Sequence, residues 1–142
     1  MITVRHLLEA KKPALYSIAA DAPVLEAVRS MAEHGVGALL VMREGVLTGI
    51  VSERDYARKV VLRGRASAQT PVADIMSSPV LTVGPEATVQ HCMVLMTERR
   101  IRHLPVVHTG RVIGVVSIGD LVKSVIEDQQ RTIEQLESYI HG

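Results

Sequence analysis

Aromatic residues are scarce in this chain, which has three Tyr but neither Phe nor Trp among its 142 residues. Proteins that hold single-stranded nucleic acid usually stack its bases on aromatic side chains, so this composition disfavours such a partner. An excess of charge of one sign is also missing, because 16 Lys and Arg residues are balanced by 15 Asp and Glu residues. Without a global electrostatic field, we expect neither nucleic acid nor an anionic membrane as a partner.

Cysteine is almost absent. Cys92 is the single cysteine, which excludes an intramolecular disulfide, and the N-terminus lacks the charged-then-apolar pattern of a signal peptide. Charged residues interrupt every apolar run before it reaches the length of a membrane span. These features favour a protein of the reducing cytoplasm that has no membrane partner.

No catalytic or metal-binding constellation is visible in the sequence either. The six His residues share no spacing typical of metal ligands, and no Gly-Lys-Ser/Thr loop for phosphoryl transfer is present. Cys92 is most simply interpreted as a small core residue on an apolar helix face. We therefore expect a protein that is not an enzyme and needs no metal.

What the chain does have is an internal duplication. Residues 15–60 align with residues 80–125 at a constant offset of 65 and without a gap. A register that persists through two turns indicates two copies of one unit. Each copy is too short to bury a stable core alone, so we expect the copies to pack together. The identical pairs include Gly45 and Gly110, Gly49 and Gly114, Ser52 and Ser117, and Asp55 and Asp120.

The spacing of apolar residues predicts the order β-α-β-β-α in both copies, which is a mixed α/β (α+β) fold. In the first copy, Asp21 and Pro23 open a helix that Gly35 ends. The other predicted elements of this copy are strands at 15–19, 37–42 and 46–52 and a closing helix at 53–62. In the second copy, the same spacing predicts a strand at 80–83, a helix through Val89 and Met96, a hairpin turning at 108–110 and a strand ending at Ser117.

Short helical lead-ins precede both copies, at 4–8 and 72–76, and a polar stretch at 64–71 connects the copies. The sequence thus predicts three parts: 1–66 with the first lead-in and repeat, 67–126 with the second, and 127–142 as a C-terminal helix extension.

The last helix runs on past the second repeat with an apolar seam. From Ile126, the spacing through Gln129 to Ile133, Leu136 and Ile140 alternates between three and four residues, as in a coiled coil. This seam either packs against the protein's own body or joins two copies of the chain. The pattern alone leaves both interpretations open, and we adopt the homodimer as the prediction.

The motif with chemical content lies where a strand of each copy runs into a helix, at 49–55 and 114–120. Ser followed three residues later by Asp at a helix start is a capping box, and for either copy alone capping is a sufficient explanation. A helix start is also a phosphate site, and a ribose diol offers two hydroxyl donors to a carboxylate. Ser for phosphate and Asp for ribose together indicate a nucleotide, whose adenine would lie against apolar strand backbone.

In this respect the chain resembles a pair of cystathionine-beta-synthase (CBS) domains, also called a Bateman module. The tandem β-α-β-β-α unit, closed in each copy by Gly-hydrophobic-hydrophobic-Ser-x-x-Asp, carries the resemblance over about 4–125. It implies that the two repeats pack sheet to sheet with pseudo-two-fold symmetry. It also implies two clefts that bind adenosine ligands, as in a stand-alone CBS-domain protein.

Each functional position can be carried over to this sequence. The copies differ beside the motif, where Arg54 of the first copy corresponds to Gly119 of the second, so the two sites need not hold the same ligand. The predicted site residues are Asp55 and Asp120 for ribose; Ser52, Arg54, Arg58, Ser117 and Arg102 for phosphate; and Ser17, Ile18, Gly37, Ala38, Leu39, Thr82, Val83, His103, Leu104 and Pro105 for adenine.

The function implied by the resemblance is a non-catalytic, regulatory nucleotide sensor for signal transduction. AMP is the favoured ligand, with ATP, ADP, NAD(H) and S-adenosylmethionine as alternatives. Because no other domain accompanies the pair here, regulation would act in trans on an unknown protein.

Three rival functions remain. The first is a structural protein-interaction module, in which Ser and Asp only cap helices and the C-terminal helix recruits a partner. The second is a nucleic-acid binder that uses 99–103, against which the near-neutral charge counts. The third is an enzyme acting on the nucleotide, which has the least support.

Overall fold

A computed structural model describes residues 1–11 and 14–141 of the chain. Helices and strands alternate in both repeats, and one long helix closes the chain. In chain order the elements are α1 (Val4–Ala10), β1 (Ser17–Ala19), α2 (Val24–His34), β2 (Ala38–Arg43), β3 (Val46–Ser52), α3 (Glu53–Tyr56), α4 (Val89–Arg99), β4 (His103–His108), β5 (Arg111–Ser117) and α5 (Ile118–His141).

The chain divides into two compact units. One unit is Ala14–Leu81, and the other joins Met1–Pro13 to Thr82–Gly142. Each unit therefore contains one repeat together with the lead-in that precedes the other repeat in the sequence. The division 1–66, 67–126 and 127–142 follows the order of the sequence repeats and stays a prediction.

In the unit Ala14–Leu81, a three-stranded sheet is built in the order β1-β2-β3. β1 runs parallel to β2, and β2 is antiparallel to β3. Helix α2 ends at Gly35, whose φ of 64° is left-handed, as the sequence predicts for this glycine. The apolar faces of α2 and the sheet meet in a core whose buried members are Val24, Ala27, Met31, Leu39, Val41, Val51, Val60, Val72 and Ile75.

The other unit repeats this plan with a smaller sheet. β4 and β5 pair antiparallel, and their register breaks between Val106 and Val107, just as the register of β2 and β3 breaks between Val41 and Met42. Both hairpins turn through a residue pair with positive φ that ends in Gly45 or Gly110. The equal positions of these irregularities confirm the mixed α/β fold made of two tandem repeats.

The strand predicted at 80–83 is wrong in extent. The structure forms only an isolated parallel bridge there, between Val83 and Val106. In the first repeat, the Leu40 N–H donates to the Tyr16 carbonyl at 3.1 Å and extends the pairing of β1. Pro105 takes the place of Leu40 in the second repeat, and it has no N–H to donate.

The closing helix of the first repeat is less regular than expected at 53–62. Four α-helical residues, Glu53–Tyr56, are followed by a π-helical turn at Ala57–Val61. The corresponding helix of the second repeat is α5, which is α-helical from Ile118. The π turn thus distinguishes the two repeats directly after their shared motif.

Each lead-in packs against a glycine of a strand. A Cβ on Gly114 in β5 would lie 2.5 Å from a Leu8 methyl group of α1, and a Cβ on Gly49 in β3 would lie 2.5 Å from the Met76 sulfur. The glycines therefore admit the apolar side chain that each lead-in inserts. The second lead-in is a single 3-10 turn, Val72–Asp74, where a longer helical segment at 72–76 was expected.

Helix α5 is the long C-terminal helix that the sequence predicts. Leu121 and Ser124 in its first turns are buried, whereas every residue from Ile126 to His141 is exposed. None of the helices in the described part of the chain has an apolar stretch long enough to cross a bilayer.

A Gly114→Ala substitution tests the packing of the first lead-in. The added methyl group meets Leu8, so we expect the free energy of unfolding to fall by about 1–3 kcal/mol in urea titrations. Combining it with Leu8→Ala should give a loss smaller than the sum of the single losses, because the two sites share one contact. Gly84→Ala is the control, since the nearest atom to its Cβ lies at 4.0 Å. Strict additivity of the two substitutions would contradict this packing.

Candidate functional site

The Ser/Asp motif of the first repeat lies where β3 ends and α3 begins. The Ser52 N–H donates to Asp55 Oδ2 at 2.9 Å, the Ser52 hydroxyl donates to the same oxygen at 3.0 Å, and the Asp55 N–H donates to Ser52 Oγ at 3.2 Å. The capping box considered for this motif is thus formed. The Asp55 side chain is 15% exposed, so it remains accessible from one side.

A lysine pairs with this carboxylate. Lys59 Nζ lies 3.1 Å from Asp55 Oδ1 and also donates to the Ile75 carbonyl at 2.9 Å. Lys59 belongs to the π-helical turn that follows α3. We call Ser52, Asp55 and Lys59 the Asp55 site.

The second repeat builds the same box at the start of α5. The Ser117 N–H donates to Asp120 Oδ2 at 2.9 Å, and the Asp120 N–H donates to Ser117 Oγ at 3.2 Å. Here the lysine comes from the residue after α1, because Lys11 Nζ lies 2.9 Å from the same Asp120 oxygen. We call Ser117, Asp120 and Lys11 the Asp120 site.

The surroundings of Asp120 favour its charged form. Burial alone would raise the pKa of this carboxyl, but the hydrogen bond from the Ser117 backbone N–H, the Lys11 ammonium and the Ser117 side chain together lower that pKa below its ordinary value. Asp120 therefore stays ionised beside a helix start, where its negative charge also interacts favourably with the helix dipole.

Most of the predicted adenine residues of the first repeat lie near the Asp55 site. Ala38 is directly opposite Ser52 in the sheet, and the Gly37 carbonyl accepts the Glu53 N–H at 3.0 Å. Ser17 and Ile18 lie on the neighbouring strand β1. Leu39 is buried in the core, so only its backbone can border a ligand. Arg54 and Arg58, the predicted phosphate residues, are exposed.

The second repeat arranges its predicted residues in the same way. His103 is opposite Ser117, and the Arg102 carbonyl accepts the Ile118 N–H at 2.9 Å. The Val83 N–H donates to the Pro105 carbonyl at 3.1 Å, which brings this segment alongside β4. Leu104, Pro105 and Val83 are buried, whereas Thr82 and Arg102 are exposed.

The predicted site residues include neither lysine. Lys59 follows Asp55 by four residues, whereas nothing beside the second motif indicates Lys11. It lies 109 residues from Asp120 and outside the duplicated segment. The second repeat has no lysine at the position that corresponds to Lys59, because Ser124, which is 5% exposed, stands there. This missing lysine is the signal that could have indicated Lys11. A carboxylate that loses its lysine within the repeat needs a cation from another segment.

The structure places Cys92 among the buried residues of its unit, and burial raises the pKa of its thiol. Both observations fit the interpretation of a small core residue. Among residues 1–11 and 14–141, no group of three or more His, Cys, Asp or Glu side chains could hold a metal ion.

Comparison with known proteins identifies a family for both halves of the chain. The family model for the CBS domain matches residues 4–62 and 72–127. A curated relative, the mitochondrial CBS domain-containing protein CBSX3 of Arabidopsis thaliana, is 46% identical over 127 residues. The match covers 86% of this chain and 62% of that protein, so the chain spans less than two thirds of this relative.

Solved structures of similar proteins agree with this family. A protein with CBS domains from Burkholderia ambifaria MC40-6, whose name assigns it provisionally to signal transduction, is 51% identical, covers 89% of this chain and 96% of its own, and has a TM-score of 0.86. The CBS domain pair of protein MJ0100, in complex with 5′-methylthioadenosine and S-adenosyl-L-methionine, is 25% identical with a TM-score of 0.79 and covers 90% and 98%. A hexameric CBS-CP12 protein from bloom-forming cyanobacteria is 27% identical with a TM-score of 0.78 and covers 86% and 70%.

An Asp120→Asn substitution tests the electrostatics of the second box. Since the folded-state pKa of Asp120 is lowered, its charge stabilises the fold above the unfolded pKa of about 3.9, and this stability is lost as the pH falls through the folded-state value. At pH 7 we expect Asp120→Asn to lower the free energy of unfolding by up to about 1 kcal/mol. Urea titrations should show that this difference shrinks towards pH 3.

The exposed Asp128 of α5 provides the control. Asp128→Asn removes one carboxylate with the same change in net charge, and its effect on stability at pH 7 should be small. A loss of stability in Asp120→Asn that is equal at pH 7 and pH 3 would contradict the assignment.

Proposed function

The chain belongs to the CBS domain family, of which it carries two copies, and we propose that each copy binds an adenosine-containing ligand at its Ser/Asp box. The observation that carries this proposal is the recurrence of the box, with a half-exposed lysine on each carboxylate, in both units. The ligands of the MJ0100 pair support it, because 5′-methylthioadenosine and S-adenosyl-L-methionine both contain adenine and a ribose with its 2′- and 3′-hydroxyls.

In this proposal the carboxylates receive the ribose hydroxyls. The hydrogen bonds to Asp120 from the Ser117 N–H and from Lys11 both end on Oδ2, so a ribose hydroxyl would bind Oδ1. At Asp55, Oδ2 accepts from both the N–H and the hydroxyl of Ser52, and Oδ1 forms the ion pair with Lys59. One ribose hydroxyl would therefore bind Oδ1, and a second would replace the Ser52 hydroxyl on Oδ2, a contact that is not part of the capping box.

Phosphate and adenine would occupy the two sides of the carboxylate. Ser52 and Ser117, at the helix starts, would hold the phosphate, with Arg54 and Arg58 near one site and Arg102 near the other. The base would lie against the strand backbone of the predicted adenine residues. These are Ser17, Ile18, Gly37, Ala38 and Leu39 for the Asp55 site, and Thr82, Val83, His103, Leu104 and Pro105 for the Asp120 site.

We take AMP as the first candidate ligand, with ATP, ADP, NAD(H) and S-adenosylmethionine as the alternatives. Binding would regulate a partner protein in trans, in line with the signalling name of the Burkholderia protein. No catalytic step is proposed. The cytoplasm stays a prediction as the location, because the plant relative is named as mitochondrial.

A second candidate function has its own observation. In both capping boxes, the Ser and Asp side chains accept each other's backbone N–H groups, which is the arrangement expected if these residues only cap helices. The chain would then be a structural interaction module whose exposed α5 recruits a partner.

We also propose that α5 joins two copies of the chain. Every residue of its last four turns is exposed, whereas most helical stability in proteins comes from tertiary packing of an apolar face. Ile133 and Leu136 of the seam are 48% and 58% exposed. A second α5 offers a matching seam by symmetry, and the hexameric CBS-CP12 protein shows that a similar chain assembles with itself.

Calorimetry with AMP tests the ligand proposal. We expect two AMP molecules per chain and a weaker binding of 2′-deoxy-AMP, by about tenfold or more, because a hydrogen bond to a charged carboxylate is lost. Asp55→Ala and Asp120→Ala should each reduce the stoichiometry to one, whereas Asp128→Ala should leave it at two. If the wild-type chain binds none of the candidate ligands, and both site variants only lower the melting temperature, the capping function is correct.

Sedimentation of the Ile133→Glu variant tests the homodimer. A charge in the seam should shift the chain from dimer to monomer at micromolar concentration, because an unpaired buried carboxylate is costly. Ser138→Glu adds the same charge to α5 outside the seam and should leave the dimer intact. A wild-type chain that is monomeric at this concentration would rule out the proposal.

A further inference from the structure

We propose that Lys11 is the residue that makes the Asp120 site selective for phosphorylated adenosine ligands. This inference rests on the proposed function, since it assigns a ligand class to one of its two sites. It makes the expectation that the two sites need not hold the same ligand more specific, because the cation beside Asp120 comes from outside the second repeat.

The position of Lys11 is determined by the anchoring of α1. The Val4 and Arg5 N–H groups donate to the carbonyls of Ala87 and Pro85, at 2.8 and 2.9 Å. Arg5 Nε also lies 2.7 Å from Glu86. At the other end of the helix, the Lys11 N–H donates to the Leu7 carbonyl at 3.0 Å. These contacts hold the backbone of Lys11 in place within the unit that also contains Asp120.

The ammonium lies beside the proposed phosphate position. Lys11 Nζ and the Ser117 N–H donate to the same oxygen, Asp120 Oδ2, so the lysine is adjacent to the helix start that would hold the phosphate. An anion placed there without a cation would be repelled by the Asp120 carboxylate. Lys11 compensates both negative groups at once.

Lys11 also has donors to spare. Its side chain is 54% exposed, and in the described residues its ammonium has one partner, Asp120. An ammonium carries three hydrogens, so two remain for ligand oxygens. Lys59 of the Asp55 site, by contrast, has two partners, because it forms an ion pair with Asp55 and donates to the Ile75 carbonyl.

The lysines of the two sites come from different segments of the chain. In the first repeat, the lysine lies on the helix that carries the carboxylate and is tied to the backbone of the second lead-in. In the second repeat, that helix position is the buried Ser124, and the lysine extends from the first lead-in. We infer that a ligand phosphate draws mainly on Lys11 at the Asp120 site, whereas at the Asp55 site it depends less on Lys59.

Calorimetry with AMP and with adenosine tests this inference. The experiment uses the full chain carrying Asp55→Ala, so that only the Asp120 site is counted. Adding Lys11→Met should weaken AMP binding by about tenfold to a hundredfold, as for the loss of a charge-assisted hydrogen bond, and adenosine binding by no more than about threefold. Lys11→Arg should restore part of the preference for AMP. Arg131→Met, which removes one positive charge from an exposed position of α5 outside both sites, is the control that should not change it.

The outcomes separate this inference from the proposed function. Equal weakening of AMP and adenosine by Lys11→Met, or an unchanged ratio of the two affinities, would overturn the role of Lys11 while the site itself stands. If the Asp55→Ala chain is folded by circular dichroism and binds neither compound, the proposed function fails at this site and the inference fails with it.

Discussion

The structure depends on one interaction, a carboxylate that closes the start of its own helix. Asp55 and Asp120 each accept the backbone N–H of the serine that ends the preceding strand. Because that serine also accepts from the aspartate N–H, strand end and helix start are held in one geometry. A lysine forms an ion pair with each of these partly buried carboxylates, to which we propose that a ligand donates its hydroxyl groups.

Both repeats have this interaction, but they differ in the segment that supplies the lysine for the carboxylate. Both repeats keep the serine, the aspartate and the strand glycine, but they take the lysine from different segments. In the first repeat the π-helical turn carries Lys59, and in the second the lead-in helix supplies Lys11. The two boxes are therefore alike in geometry and different in electrostatics, which is the physical basis for expecting them to respond differently to the charge of a ligand.

The sequence allowed much of this to be predicted, because apolar periodicity and turn glycines act locally. The end of α2 at Gly35, the hairpin at Gly45 and the serine-to-aspartate box all follow from neighbouring residues. The shortened first strand of the second repeat was missed, since it depends on the absent N–H of Pro105, which lies on another strand. Lys11 was missed for the same reason, as no local pattern connects it with Asp120.

The proposed function requires both boxes to bind the ribose and phosphate of an adenosine ligand. A titration of the ¹⁵N-labelled chain with AMP, followed through the backbone amide resonances, detects this binding at each box separately. We expect saturable shifts concentrated at residues 52–55 and 117–120, where the amides adjoin the proposed ligand. Shifts that are absent from both segments at millimolar AMP would contradict it.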